Sequence, residues 1–115
     1  MEETIFSKII KREIPADIVF ESDNLLAFKD INPQAPVHIL IIPKTVIPKV
    51  SDLNGSEHAK LLGEMIDAAN KLARDMKISE DGYRIVLNCG PNGGQEVYHL
   101  HMHLLGGRRM KWPPG

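Results

Sequence analysis

The sequence has one cysteine, no long hydrophobic run and almost no net charge. Because Cys89 is the single cysteine among 115 residues, the chain cannot form an internal disulfide, and nothing in it requires an oxidising compartment. The formal net charge of -1 provides no broad positive field, which argues against a nucleic-acid polymer as partner. The length and a hydrophobic content of 43% predict a single globular domain spanning residues 1–115.

Membrane insertion and secretion also lack support in the sequence. No uninterrupted apolar run is longer than the one at residues 39–42, which ends at Pro43, whereas a membrane span needs about 20 apolar residues. The first residues, Met1 to Thr4, are acidic where a signal peptide would be basic. We therefore expect a soluble, cytoplasmic protein that has no membrane partner.

Hydrophobic periodicity predicts a small α+β domain with an antiparallel sheet and one long helix. A short amphipathic helix follows Thr4, a candidate N-cap, and a nearly continuous apolar run is typical of a central strand covered on both faces. The predicted helices span residues 5–10 and 56–77, and the predicted strands span residues 18–21, 25–30, 38–42, 83–88 and 97–105. The long helix carries one apolar stripe, formed by Leu62, Met65, Ile66, Ala69, Leu72, Ala73 and Met76. The first two strands form a hairpin around three turn-forming residues.

The last predicted strand carries the most informative pattern. His99, His101 and His103 alternate with apolar residues, so they share one face of a strand while the apolar residues share the other. Each imidazole can gain charge near neutral pH, which makes three of them together costly for structure alone. The pattern therefore favours chemistry over three buried structural histidines.

Metal binding and nucleophilic chemistry are the two chemical interpretations. The outer histidines lie about 13 Å apart along a strand that rises ~3.3 Å per residue, so one straight strand cannot offer all three to one ion. Two of them with His38 could still form a metal site, although no cysteine pair or glutamate cluster supports it. As a nucleophile, imidazole suits neutral pH, and His101, which has a neighbour on each side, is the natural attacker.

A glycine-rich segment, residues 89–96, precedes the histidine strand. Glycines let successive N–H groups converge on an anionic oxygen, although such a loop alone is more often a simple turn. The segment is not a P-loop, because no Gly-Lys pair follows and a strand comes next. An anion cradle beside a nucleophile indicates attack at phosphorus.

On these motifs the chain resembles the histidine triad (HIT) family. Residues 99–105 match its signature, His-φ-His-φ-His-φ-φ with φ apolar, and further similar segments at residues 4–15, 30–36, 42–44, 93–95 and 106–115 resemble the Hint branch of purine nucleoside phosphoramidases. The resemblance implies a five-stranded antiparallel sheet with one long and one short helix. It also implies a homodimer in which two sheets join edge to edge, with the tail and Trp112 approaching the neighbour's site.

The implied activity is hydrolysis of a P–N bond in an AMP or GMP conjugate of an amine, such as AMP-lysine, with no cofactor and no metal. By this resemblance His101 attacks the phosphorus and becomes nucleotidylated, His103 contacts the phosphate or the leaving group, and His38 and His99 orient the nucleophile's side. Asp30 corresponds to the ribose-binding carboxylate. The implied phosphate-side residues are Asn88, Gly94, Gln95, Glu96 and Val97, and the implied purine slot contains Phe6, Ile9, Ile14, Phe28 and Ile31.

Glu96 departs from the family pattern, in which some members carry serine. A carboxylate cannot donate to a departing amine unless it is protonated, so either Glu96 points outward or the leaving-group preference is shifted. Two alternative functions remain open at this point. One is hydrolysis of dinucleoside polyphosphates on the same triad, and the other is a nucleotide-binding module with incidental turnover.

Overall fold

The structure, a computed structural model, describes residues 3–115, so the expectations that involve Met1 and Glu2 lie outside the described residues. Within this range a five-stranded antiparallel sheet has the order β1-β2-β3-β5-β4. The strands are β1 Ile18–Glu21, β2 Leu25–Lys29, β3 Val37–Pro43, β4 Tyr83–Val86 and β5 Met102–Gly106; the helices are α1 Ile5–Ile10 and α2 Gly55–Asp75, with a 3-10 turn at Val50–Asp52. The predicted α+β architecture is confirmed.

Both helices begin at residues whose side chains cap them. Thr4 and Ser7 form a capping box at the start of α1, as the sequence predicts for Thr4. The side chain of Asn54 accepts hydrogen bonds from the N–H groups of Ser56 and Glu57 at the start of α2. No helix in residues 3–115 has the length and apolar character that a bilayer crossing requires.

The central strand β3 separates two hydrophobic clusters. Ile39 and Ile41 pack in the larger cluster beneath α2, whereas Leu40 and Ile42 pack in the smaller cluster beneath α1. This alternation follows from the opposite directions of successive strand side chains. The prediction of a strand covered on both faces is confirmed.

The apolar face of α2 is narrower than the sequence predicts. Met65, Ala69 and Leu72 are buried against the sheet as expected. Ile66, predicted to belong to the same stripe, is 42% exposed. Ile66 therefore leaves an apolar side chain on the outer surface of the helix.

The final strand is shorter than predicted, and this difference shapes the site. β5 covers Met102–Gly106 rather than residues 97–105. Extending its register with β3 would place Leu100 opposite Pro43, which has no N–H to donate. The N–H of Leu100 instead donates to the carbonyl oxygen of Ile47 at 2.6 Å. Residues 97–101 thus run outside the sheet ladder.

The alternation of side chains nevertheless continues through this segment. Leu100, Met102 and Leu104 all belong to the cluster beneath α2. The rings of His101 and His103 lie on the opposite side, 5.0 Å apart between centroids. The predicted separation of a histidine face from an apolar face is therefore confirmed, although only His103 of the three histidines lies within β5.

Two glycines should respond to alanine in opposite directions. Gly63 is an exposed residue within α2, and a Cβ there would meet no atom within 4 Å, so Gly63→Ala should stabilise the protein by about 0.5–1 kcal/mol. A Cβ on Gly93 would lie 2.5 Å from the carbonyl oxygen of Cys89, so Gly93→Ala should destabilise it. Urea denaturation of the two variants measures both effects, and a loss of stability in Gly63→Ala would contradict the helix assignment.

Candidate active site

A cavity of about 520 Å³ opens on the side of the sheet that α1 covers. It brings together most of the residues that the sequence singled out, from three separate parts of the chain. The predicted residues that line it are Phe6, Ile9, Ile14, Phe28, Asp30, Ile31, His38, Asn88, Gly94, Glu96, Val97, His101 and His103. His99 and Gln95 are the two predicted residues that do not line it.

His101 lies in the cavity wall with its ring orientation set by the backbone. Its Nδ1 is 2.8 Å from the carbonyl oxygen of His99. A carbonyl can only accept, so Nδ1 carries the proton and the neutral ring keeps a lone pair on Nε2. Phe6 packs edge-on against the ring, with centroids 4.9 Å apart. A lone pair on a positioned imidazole is the requirement for nucleophilic attack.

Burial also keeps His101 in the neutral form. It lowers the pKa of His101 below its ordinary value, although the His99 carbonyl and the charge of Asp30 act in the opposite direction. A lowered pKa leaves a larger fraction of the ring unprotonated at neutral pH. The geometry and the burial therefore favour the same nucleophilic form.

His103 and His38 form a hydrogen-bonded pair beside His101. Nε2 of His38 lies 2.9 Å from Nδ1 of His103, and the peptide N–H of Gln34 donates to Nδ1 of His38 at 3.0 Å. Burial lowers the pKa of both rings, and for His103 the neighbouring imidazoles of His101 and His38 lower it further, to about 4. The resemblance implied that His38 orients the nucleophile, but its hydrogen-bonding partner is His103.

His99 is fully buried, and its carbonyl group is the hydrogen-bonding partner of the His101 ring. Its Nε2 donates to the carbonyl oxygen of Pro43 at 2.7 Å. Its Nδ1 is buried and has no hydrogen-bonding partner among the described residues. Protonation of Nδ1 would place a charge there without an acceptor, and burial accordingly lowers the pKa of His99. His99 thus acts on the site as a neutral support.

Asp30 stands at the end of β2, where the cavity meets the loop that leads to β3. One carboxylate oxygen accepts a hydrogen bond from the N–H of Asn32 at 2.8 Å. The other lies 3.5 Å from Nε2 of His38. Ile31, which the family resemblance assigns to the purine slot, is 92% exposed and lines this cavity.

The end of the glycine-rich loop, at Gly94 and Glu96, lines the cavity. The buried side chain of Gln95 braces the loop. The Gln95 side chain accepts from the N–H of Gly90 and donates to the carbonyl oxygens of Pro48 and Val97. Both N–H bonds of the amide are therefore used within the loop region, and the side chain of Gln95 does not line the cavity. Glu96, by contrast, is exposed and lines the cavity.

Oxygen and nitrogen atoms of Asp30, His38 and His103 lie within 4.8 Å of one another, a spacing that could in principle hold a metal ion. A histidine nitrogen must present a lone pair to bind a metal. Because the N–H of Gln34 occupies the lone pair on Nδ1 of His38, the proton of that ring sits on Nε2, the atom nearest the other two groups. His38 and His103 are therefore arranged as a hydrogen-bonded pair, in which Nε2 of His38 has no free lone pair for a metal ion.

The role of Gln34 was not anticipated from the sequence. It acts through a peptide N–H, which every residue except proline possesses, so no side-chain pattern could have revealed it. The structure also adds several cavity-lining residues to those predicted. They are Ile5, Pro15, Ala16, Lys29, Asn32, Gln34 and Leu40.

Comparison with known proteins agrees with this geometry. A family model described as "HIT domain" matches residues 11–110 of the chain. The chain is 62% identical over 107 residues to the purine nucleoside phosphoramidase of Escherichia coli strain K12, covering 93% of this chain and 89% of that protein. It is 55% identical over 114 residues to the 14 kDa zinc-binding protein of Zea mays, covering 97% and 88%.

Solved structures show the same fold. A HIT family hydrolase from Legionella pneumophila superimposes with a TM-score of 0.95 at 54% identity, covering 98% of this chain and all of that one. A HIT family hydrolase from Clostridium thermocellum gives a TM-score of 0.91 at 52% identity, covering 96% of each chain. With the domain match and these near full-length relatives, the chain belongs to the HIT family.

Proposed function

We propose that this protein hydrolyses the P–N bond of purine nucleoside 5′-phosphoramidates, such as AMP or GMP joined to an amine, through a nucleotidyl intermediate on His101. The observation that carries the proposal is the free lone pair on Nε2 of His101 in a cavity wall. The E. coli relative, 62% identical to this chain, is named a purine nucleoside phosphoramidase.

The reaction would proceed in two displacements at phosphorus. In the first, Nε2 of His101 bonds to phosphorus while the P–N bond breaks and its electron pair leaves with the amine. In the second, water replaces His101 and releases the nucleoside monophosphate. Dividing one difficult substitution into two easier ones is the advantage of covalent catalysis.

The cavity offers a separate environment for each part of the nucleotide. Apolar side chains from α1 and β2 are suited to a purine ring. Among them, the ring centroids of Phe6 and Phe28 lie 5.6 Å apart. Asp30 is suited to the ribose hydroxyls because a carboxylate accepts two hydrogen bonds. The phosphate would lie between His103 and the loop end at Asn88 and Gly94, where positive φ at Gly94 turns the backbone.

Two other functions would use the same residues. A dinucleoside polyphosphate hydrolase would attack a P–O–P link with the same nucleophile, and a binding module would hold the nucleotide without useful turnover. The name of the relative that matches 93% of this chain favours the phosphoramidase over both. The neutral, oriented His101 also favours catalysis over binding alone, because binding does not require a free lone pair.

The functional unit is proposed to be a homodimer formed along β4. β4 lies at one end of the sheet order, so one of its edges is unpaired within the described chain. Apolar groups are exposed next to this edge. Arg84 of β4 donates to the carbonyl of Lys111, which places the 83% exposed Trp112 nearby. Ile66 lies one helical turn from Asn70, which hydrogen-bonds Tyr83 of β4.

The opposite end of the sheet is less suited to pairing. On β1, Glu21 holds ion pairs with Arg12 and Lys44 at 2.6 and 2.7 Å. Charged groups along an edge strand disfavour pairing with a second strand. The contrast between the two edges supports β4 as the dimer edge.

Replacing the nucleophile should separate catalysis from binding. We expect His101→Ala to lower kcat/KM for an AMP-amine phosphoramidate by at least about 10⁴-fold, because no other free imidazole lone pair faces the substrate. Binding of AMP, measured by calorimetry, should change little. His58→Ala, on α2, is the matched histidine control. Turnover by His101→Ala at the wild-type level would disprove the assignment.

The choice of substrate bond should appear in a direct rate comparison. For the wild-type protein we expect kcat/KM on an AMP-amine phosphoramidate to exceed that on diadenosine triphosphate by at least about tenfold, which corresponds to about 1.4 kcal/mol in the barrier. A preference for the triphosphate would favour the polyphosphate hydrolase. Binding of AMP with hydrolysis of neither compound would favour the binding module.

Sedimentation velocity tests the proposed dimer. The wild-type protein should sediment as a dimer at micromolar concentration. Ile66→Lys should weaken the dimer, since it introduces a charge beside β4. Ile18→Lys is the matched control, because Ile18 is similarly exposed, at 37%, but lies on β1 at the other edge. A monomeric wild-type protein, or dissociation only in Ile18→Lys, would contradict the assignment.

A further inference from the structure

A peptide N–H determines where the proton lies on two successive imidazoles of the site. The N–H of Gln34 points at Nδ1 of His38 at 3.0 Å, and Nε2 of His38 points at Nδ1 of His103 at 2.9 Å. Both rings are buried or half-buried, so solvent does not replace these partners. The three residues form one directed chain of hydrogen bonds.

The direction of this chain follows from counting protons. A peptide nitrogen only donates, so Nδ1 of His38 must accept, and the single proton of neutral His38 lies on Nε2. Nδ1 of His103 must then accept from His38 in turn. The proton of neutral His103 therefore lies on Nε2, for which no partner within residues 3–115 is found.

We propose that the peptide N–H of Gln34, acting through His38, holds His103 as a neutral imidazole that donates a hydrogen bond from Nε2 to a phosphoryl oxygen and keeps its proton during the reaction. Gln34 and His38 are thus positioning residues for His103. The identity of the acceptor as a phosphoryl oxygen rests on the proposed function, whereas the placement of the protons does not.

A general-acid role for His103 conflicts with this arrangement. A neutral imidazole that gave up its proton would become an anion, so a general acid would have to be the imidazolium. Adding a proton to Nδ1 of His103 would set two N–H groups against each other across 2.9 Å. His38 cannot relieve this contact by moving its proton to Nδ1, because the N–H of Gln34 lies there.

The charges around His103 act in both directions. Asp30, whose carboxylate lies 3.5 Å from Nε2 of His38, favours the imidazolium, whereas burial and the imidazoles of His38 and His101 oppose it. Lys29 and Glu96 also line the cavity, with opposite charges. The pKa of His103, lowered to about 4, agrees with a ring that stays neutral across the physiological range.

Without His103 as the acid, the reaction balances with water as the source of the proton for the departing amine. As the P–N bond breaks, the amine nitrogen takes the electron pair and a proton from a water molecule, which leaves hydroxide. The hydroxide then attacks phosphorus, and the bond between phosphorus and Nε2 of His101 breaks and returns the lone pair to the imidazole. The two steps consume one water molecule in total and leave His103 unchanged.

Two substitutions of His103 separate a hydrogen-bond donor from a general acid. Glutamine places an N–H near the position of Nε2 but cannot transfer a proton, whereas alanine removes the donor. We expect His103→Gln to retain kcat within about tenfold of wild type and His103→Ala to lose about 10²–10³-fold, as for loss of one oxyanion donor. Equal losses in both variants would indicate a general acid, and no loss in either would remove His103 from catalysis; both outcomes overturn the proposal.

The placement of the protons can be measured without any substrate. The ¹⁵N chemical shifts of the histidine side chains in the wild-type protein should show both His38 and His103 protonated on Nε2 and neutral from pH 7 down to pH 5.5. Doubly protonated His103 at pH 6, or a proton on Nδ1 of His38, would overturn the proposal. Because this measurement needs no turnover, it stands even if the protein does not cleave phosphoramidates.

A matched pair of variants tests the peptide N–H itself. Gln34→Ala keeps this N–H and should leave the His38 and His103 shifts and their titration unchanged. Gln34→Pro removes it, which frees His38 to hold its proton on Nδ1 and to accept from an imidazolium at His103. The titration midpoint of His103 should therefore rise in Gln34→Pro only. Identical midpoints in the two variants would overturn the role of Gln34, and the wild-type spectra decide the proton placement if the proline variant fails to fold.

Discussion

The proton positions on the site's histidines depend on backbone groups that can act in one direction only. The carbonyls of Pro43 and His99 accept the protons of His99 and His101, whereas the peptide N–H of Gln34 donates to Nδ1 of His38 and so leaves the His38 proton on Nε2. Imidazole alone is ambiguous, because either nitrogen can carry the proton. A peptide carbonyl or N–H removes the ambiguity, and no charged group is needed. The site therefore holds a free lone pair on one ring and a free N–H on its neighbour without a counter-ion.

The sheet makes this arrangement possible by ending where it does. β3 stops at Pro43, and the chain before β5 leaves the ladder, so the carbonyls of Pro43 and His99 accept from imidazoles rather than from a neighbouring strand. The early end of the ladder has a cost, since Nδ1 of His99 lies buried without a partner among the described residues. An unpaired buried polar atom of this kind costs about 1–3 kcal/mol. The fold thus loses some stability at the place where it orients the imidazole of His101.

Much of the fold could be predicted from hydrophobic periodicity, because each face of the sheet packs against a different helix. The burial of β3 on both faces and the capped start of α1 follow from local chemistry, and both were predicted. The errors concern the start of β5 and the exposure of Ile66. In each case the outcome depends on the tertiary surroundings of the segment. Pro43 would lie opposite the start of the predicted strand, and Ile66 is left exposed on the helix. Sequence periodicity describes what a segment can do, but not what lies beside it.

The sequence by itself determined the chemistry available to this protein, since it places three histidines on one side of a chain whose other side is apolar, after a glycine-rich turn. Family resemblance added the expected substrate-side residues, among which Gln95 braces the glycine-rich loop and does not line the cavity. Tertiary structure alone decided that the lone pair of His101 lies on Nε2, that His38 hydrogen-bonds His103 rather than His101, and that the N–H of Gln34 meets His38. The physical reason is that these outcomes depend on hydrogen bonds to peptide groups. Every residue carries such groups, and only the fold selects which of them meet an imidazole.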